Sequence, residues 1–314
     1  MFLISHPFNE AHQVPDEHAE RPERTRSLNA FLDQHFVDPE QHTRLEARAA
    51  QREQILLAHP DTHISYLEGS VPQDGIVPVD PDTWLSPNSL VAATHAAGAV
   101  CEGVDHLLQG TTQHVFCPVR PPGHHAEINA AMGFCLYNSI AIGALHALQQ
   151  DEIQRVAILD FDVHHGNGTV DIFKDDPRVL VCSSFQHPYY PNRLFDVARD
   201  HVIHTPLEAG TSGQRFRRLV EQQWQPALHA HQPDLILISA GFDAHEQDPL
   251  ANLMFRSCDY HWFAQWLVDQ AAGTAQGRIL SALEGGYDLQ ALNHCVLAWL
   301  QGLSGRSLDI DERF

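Results

Sequence analysis

Lysine is almost missing from this sequence. Lys174 is the single one among 19 basic residues, which face 40 acidic ones, and the formal charge is −21. A surface of that sign repels phosphate backbones and anionic membranes, so neither nucleic acid nor a membrane is an expected partner. It attracts cationic ligands weakly, because screening confines that pull to about 10 Å; solubility accounts for most of such a charge. No apolar run approaches the roughly 18 residues of a spanning helix. The N-terminus, MFLISHPFNEAHQ, lacks the basic region and long apolar stretch of a secretory signal. Cys101, Cys117, Cys135, Cys182, Cys258 and Cys295 include no CxxC pair. Their scatter predicts reduced core residues in a cytoplasmic protein, not a disulfide framework or a zinc knuckle. Internal repeats, heptads, low-complexity segments and dividing linkers are also absent.

What is present is an apolar fraction of 43% in 314 residues, enough for a substantial core. Open α/β folds reach this length as one domain. Short apolar runs alternate with longer helical stretches. The expected strands are 114–119, 155–161, 178–184, 234–240 and 278–284. The expected helices are roughly 88–109, 134–150, 213–231, 259–273 and 288–303, with Ser86 or Asn88 as candidate cap of the first. Near-continuous Val/Ile/Leu strands interleaved with helices predict an open parallel sheet covered on both faces.

In such sheets ligands bind beyond the carboxyl ends of the strands. The strand at 114–119 is followed by RPPGHHA, and that at 155–161 by DVHHGNG. GFDAH follows 234–240, and GGYD follows 278–284. A turn explains any one of these segments. Four of them together deliver His, Asp and Tyr to one edge of the sheet.

Asp162 and His164 are two residues apart, so on an extended segment they point the same way. With Asp243 they make a two-carboxylate, one-imidazole set suited to a catalytic zinc with an open position; iron(II) also fits. Two anionic ligands leave the metal less positive than a three-histidine site does, so its water needs a separate base. His124 and His125 supply candidates, behind the rigid lead-in of Pro121, Pro122 and Gly123. Tyr287, after Gly285 and Gly286, is a candidate donor to an oxyanion.

The motifs RPPGHHA, GFC at 133–135, DFDVHHGNGT, SAGFDAHEQDPL and LEGGYD resemble, in order, those of the histone deacetylase family, which includes acetoin-utilisation-type proteins and acetylpolyamine amidohydrolases. The resemblance runs from HAERPER at residue 18 to about residue 300. It implies an arginase-like α/β fold and zinc-dependent hydrolysis of an acetylated amine. Asp162, His164 and Asp243 match the zinc ligands. His124 and His125 match the tandem histidines, the second being the general base, and Tyr287 matches the tyrosine that polarises the amide carbonyl. Asp160 matches the carboxylate behind the first histidine. Asn167 stands behind the second, as in class II members, where an amide stabilises imidazolium less than a carboxylate does. Gly133, Phe134 and Tyr190 match the acyl-lysine tunnel, and Asp82 a rim aspartate that grips the substrate backbone. Structural potassium is also implied. One site would use Asp160, Asp162, His164, Ser183 and Ser184. A second would use Phe173, Asp176, Val179 and His201, where His201 replaces the family's tyrosine.

Leu250 occupies the place where polyamine-specific members carry a glutamate. It favours acetyl-lysine, in proteins or peptides, over small acetylated amines. The absence of an extra domain resembles bacterial members. A non-catalytic acyl-lysine binder would be expected to lack a catalytic residue, and each expected one is here. A manganese ureohydrolase would need further bridging aspartates, which the sequence does not offer.

Overall fold

A computed structural model describes residues 1–36, 38 and 42–310. Ten strands occur among them: β1 (Phe2–Ser5), β2 (Thr43–Glu46), β3 (Val77–Asp80), β4 (Thr83–Leu85), β5 (His114–Cys117), β6 (Val156–Asp160), β7 (Val179–Gln186), β8 (Val202–Leu207), β9 (Leu235–Ala240) and β10 (Ile279–Leu283). Eight form one sheet in the order β2-β1-β5-β10-β9-β6-β7-β8. Each neighbouring pair in it is parallel. β3 and β4 form a separate antiparallel pair.

The continuous apolar strands have a simple cause. Successive side chains point to opposite faces, and here both faces are covered. Along β6, Ala157 and Leu159 join one core cluster while Val156 and Ile158 join the other. Along β9, Ile236 and Ile238 divide from Leu235 and Leu237 in the same way. The first cluster packs against helices Glu23–His35, Ser257–Gly273 and Leu289–Leu303; the second packs against Ser89–Leu108 and Ser139–Ala147. The α/β expectation therefore holds, in one domain.

Several expected boundaries need correction. The helix expected from 134 begins at Ser139, because Gly133 and Phe134 have φ of 57° and 70°, outside any right-handed helix. Asn138 then caps it, its side chain accepting from the Ala141 N–H. The stretch 213–231 is interrupted by a π turn over Val220–Trp224, just ahead of Pro226, which has no N–H to continue the ladder. Neither Ser86 nor Asn88 caps the helix that starts at Ser89: the Ser86 hydroxyl accepts from Gln13 N–H, and Ser89 Oγ accepts from Ser86 N–H. Cys258 is exposed, unlike the other five cysteines. β1, β2, β8 and the β3–β4 pair lie outside the expected strands. These are short or polar: β2 reads TRLE, and β8 carries a proline.

The four central strands, β5-β10-β9-β6, are those whose following loops carry the polar motifs. The fold thus places the four loops side by side.

Candidate metal centre and acyl tunnel

Asp162 and His164 follow β6, and Asp243 follows β9. One ligand atom from each lies within 4.8 Å of the other two, and all three residues are buried. His164 Nδ1 is 3.1 Å from Asp162 Oδ1 and 3.2 Å from Asp243 Oδ2. Backbone amides aim the carboxylates: Val163 N–H donates to Asp243 Oδ1 at 2.8 Å, and Gly285 N–H to Asp162 Oδ2 at 2.8 Å. Gly285 must be glycine, since a Cβ there would stand 2.0 Å from Asp243 Oδ2 and 2.6 Å from Asp162 Oδ2.

The electrostatics fit a bound cation. Burial and the neighbouring Asp162 push the Asp243 carboxyl up. Burial alone would push His164 down, but Asp162 and Asp243 outweigh it and bring it up to about 10. Buried negative charge that draws a proton to a ligating nitrogen would be neutralised equally by a divalent ion. Asp243 Oδ2 accepts no well-aligned hydrogen bond, although His164 Nδ1 stands 3.2 Å from it. The donor set and this poorly satisfied oxygen suit zinc, or iron(II).

Two histidines from the loop after β5 flank this trio, their rings 4.0 Å apart. His124 Nδ1 donates to Asp160 Oδ2 at 2.9 Å. Burial would push His124 down, but Asp160, Asp162 and Glu284 hold it well above its usual range. His125 lies on Asn167 Oδ1 at 2.6 Å. Burial and the adjacent His124 and His164 push His125 well below its usual range. The two rings are thus pushed in opposite directions, His124 beside its carboxylate toward imidazolium and His125 beside its amide toward the neutral form.

Tyr287 follows β10, with the Arg24 guanidinium 4.8 Å from its ring centre. Burial pushes its phenol well up, so it stays protonated and able to donate. Phe134 packs edge-on to Tyr287 at 6.0 Å, and Tyr190 edge-on to His125 at 5.3 Å. These residues, with Gly133, Leu250, Asp82 and Gly285, line a cavity of about 190 Å³ that reaches His124, His125 and His164. Gly133 lies flush against the His125 ring, for a Cβ on it would meet His125 Cδ2 at 2.3 Å. Asp82 braces the wall, its Oδ1 accepting from Gly133 N–H at 2.9 Å.

Of the remaining expected residues, Gly286 gives its carbonyl to Arg24 Nε at 2.7 Å. Ser183 and Ser184 lie on β7 beside Asp160, with Ser183 in register with it. Phe173, Asp176, Val179 and His201 form a separate group, where His201 Nε2 meets the Phe173 carbonyl at 3.0 Å and Asp176 grips Arg178.

Several supporting residues were not assigned from sequence. Glu284 accepts from the backbone N–H of Gly123 and His124, at 2.7 and 3.1 Å, and so sets the histidine loop. Asp248 accepts from Tyr287 N–H. Glu20 bridges Arg120 and Arg24 within the core, and Arg24 also donates to the Glu284 carbonyl at 2.5 Å. Glu284 lies inside LEGGYD, and Glu20 and Arg24 inside HAERPER, so the segments were visible although the roles were not.

The family model of the histone deacetylase domain matches residues 18–303. The chain belongs to the histone deacetylase family. It is 33% identical to a probable deacetylase of Methanothermobacter thermautotrophicus, over 98% of this chain and 92% of that one. It is 32% identical to a histone deacetylase-like amidohydrolase of Pseudomonas aeruginosa, over 92% of this chain and 77% of that one. The solved HDA15 HD domain superposes with a TM-score of 0.90 at 30% identity, covering 98% of this chain and 91% of that one. The sheet is accordingly the arginase-like sheet of histone deacetylases, and the chain is a hydrolase of the deacetylase class. No helix among the described residues is long and apolar enough to cross a membrane.

Proposed function

We propose that this deacetylase-family chain hydrolyses the side-chain amide of acetyl-lysine, or of a related short-chain acyl-lysine. One observation carries the reading: two adjacent histidines, one backed by Asp160 and the other by Asn167, flank the Asp162, His164 and Asp243 trio beside a cavity walled by Phe134 and Tyr190. Zinc held by the trio, or iron(II), would supply Lewis acidity toward the carbonyl and the attacking water.

The chain's own residues supply the rest. Asn167 Oδ1 can only accept, so His125 carries its proton on Nδ1 and keeps Nε2 as a lone pair able to take a proton from water. His124, held by Asp160 and drawn toward its imidazolium form, would stabilise negative charge developing nearby. A histidine proton then goes to the departing amine. The Tyr287 phenol donates to the carbonyl oxygen as its charge grows. Phe134 and Tyr190 enclose an aliphatic stem and exclude water from the amide. Asp82 lines the cavity and would accept from a substrate backbone N–H with its remaining capacity.

The second reading is a small acetylated amine as substrate. Leu250 opposes it, because leucine offers nothing to a distal ammonium. Potassium is supported at the Asp160, Asp162, His164, Ser183 and Ser184 group, beside the metal loop. At the Phe173, Asp176, Val179 and His201 group a cation would share the Phe173 carbonyl with His201 Nε2. The deciding experiment compares rates on an acetyl-lysine peptide, acetylputrescine and acetylspermidine, for the native protein and for Leu250→Glu. Faster hydrolysis of the peptide by the native protein, with a shift toward acetylspermidine in Leu250→Glu, supports the reading. A native preference for the polyamines overturns it.

A further inference from the structure

Behind His125 the structure holds a longer chain of polar groups than the amide alone. Asn167 uses both ends of its side chain. Its Oδ1 faces His125 Nδ1 at 2.6 Å, and its Nδ2 donates to Glu127 Oε1 at 2.8 Å. Arg193 closes the row with a 2.9 Å bond from Nη2 to Glu127 Oε2. Asn167 is fully buried and the Glu127 side chain 9% exposed, whereas that of Arg193 is half exposed.

The order of these groups matters. A carboxylate can only accept, so Glu127 forces the Asn167 NH2 to its own side and the carbonyl to the imidazole side. Nδ2 also lies 3.4 Å from the His125 carbonyl and 3.3 Å from Met132 Sδ, longer contacts that favour the same orientation more weakly than the 2.8 Å bond to Glu127. Flipped, the amide would present NH2 to His125, which would then need its lone pair on Nδ1 and its proton on Nε2. That is the wrong tautomer for a base. The glutamate charge also polarises the amide, making Oδ1 a stronger acceptor. The carboxylate that directly backs His124 is, for His125, set one residue further back.

We propose that Glu127 is a positioning residue that acts through Asn167, fixing the amide orientation and thereby keeping His125 in the Nδ1–H tautomer with Nε2 free for proton abstraction. This rests on the acyl-lysine hydrolase reading only for its kinetic consequences; the tautomer itself can be observed without substrate.

The test uses full-length zinc-loaded protein and three forms: native, Glu127→Gln, and the exchange Glu127→Gln with Asn167→Asp. In Glu127→Gln the short carboxylate acceptor of Asn167 Nδ2 becomes an amide that can itself flip, and only the longer contacts to the His125 carbonyl and Met132 Sδ still favour the native orientation. In the double variant the carboxylate sits directly on His125, and the glutamine NH2 donates to it. Glu127→Gln is expected to lower kcat on an acetyl-lysine peptide by about tenfold, at little change in KM. The exchange is expected to recover kcat to within about threefold of native, a non-additive gain. A role for Glu127 confined to holding Arg193 would not be relieved by a change at 167. In parallel, two-bond ¹H–¹⁵N spectra of histidine-labelled protein, with His125 assigned by its loss in His125→Ala, report the tautomer. A pure Nδ1–H form in native protein and in the exchange, mixed in Glu127→Gln, supports the proposal. An unchanged tautomer in Glu127→Gln, or no recovery of kcat in the exchange, overturns it. A native protein that leaves acyl-lysine intact yet shows the tautomer change would fail the substrate reading alone.

Discussion

The backbone N–H of Tyr287 donates to Asp248 Oδ2 at 2.7 Å. One residue on the loop after β9 thereby fixes the phenol carried by the loop after β10. The other oxygen, Oδ1, accepts from Leu250 N–H at 2.9 Å, so Asp248 also sets the cavity-lining leucine. Asp248→Ala leaves two amides without their acceptor, one of them beside the reacting centre. The expected cost is about 1–3 kcal/mol of stability. The fall in kcat should exceed the fall in zinc content. Thermal melts, metal analysis and peptide kinetics on one preparation check this; unchanged kcat would deny Asp248 its positioning role.

Tyr287→Phe removes a donor without removing bulk. Burial already favours the protonated native phenol, so on the proposed reading the variant would lose one hydrogen bond to the substrate carbonyl. Turnover should fall by about 10²- to 10³-fold, with zinc retained. Hydrolysis at the native rate would exclude the oxyanion role.

Gly285→Ala tests the metal cradle. The new Cβ would occupy space held by the Asp243 and Asp162 carboxylates. Zinc affinity should fall by at least about tenfold, in the range found when a ligand's supports are disturbed. Gly69→Ala is the matched control: it lies in helix Asp61–Ser70, and a Cβ there meets nothing within 4 Å. It should bind zinc normally. Competition with a chromogenic chelator measures both, and equal affinity in the two variants would contradict the geometry.

His59 sets part of the acid limit of stability. Its Nδ1 donates to the Ile128 carbonyl at 3.2 Å, and its Nε2 accepts from Asn138 N–H at 2.9 Å. Protonation would destroy the acceptor. Burial, then the adjacent His63, push it down to about 3. With the folded value below the unfolded 6.5, its contribution is complete above pH 6.5 and is lost as pH falls toward 3. Between pH 7 and pH 5 that loss is about 2 kcal/mol. The fall in melting temperature over this interval should be shallower in His59→Gln, whose amide can donate and accept but does not titrate. Equal slopes would remove His59 from the acid response.

Much of this architecture was readable in the sequence, for physical reasons that also explain what was missed. β6 and β9 each open on four consecutive apolar residues because both faces of the sheet are covered, so they stood out. β2 and β8 lie at the sheet edges, where polar residues and proline are tolerated, and carried no such signal. Asp162 and His164 announced themselves by strand spacing, and Gly285 by its place beside a second glycine. Glu127, Asp248 and Glu284 did not, since each acts through a backbone amide or another side chain. Nothing in local spacing shows that Glu284 reaches the N–H groups of Gly123 and His124, 160 residues away. Only the parallel order β5-β10-β9-β6 brings those loops together.

The account stands or falls on Asp162, His164 and Asp243 holding one divalent ion that serves amide hydrolysis. The most direct measurement is acetate release from an acetyl-lysine peptide by native protein, after chelation and again after stoichiometric zinc. The account predicts release by the loaded protein, its loss on chelation and its return with one zinc per chain. Release that persists through complete metal removal, or no release from fully loaded protein, would contradict it.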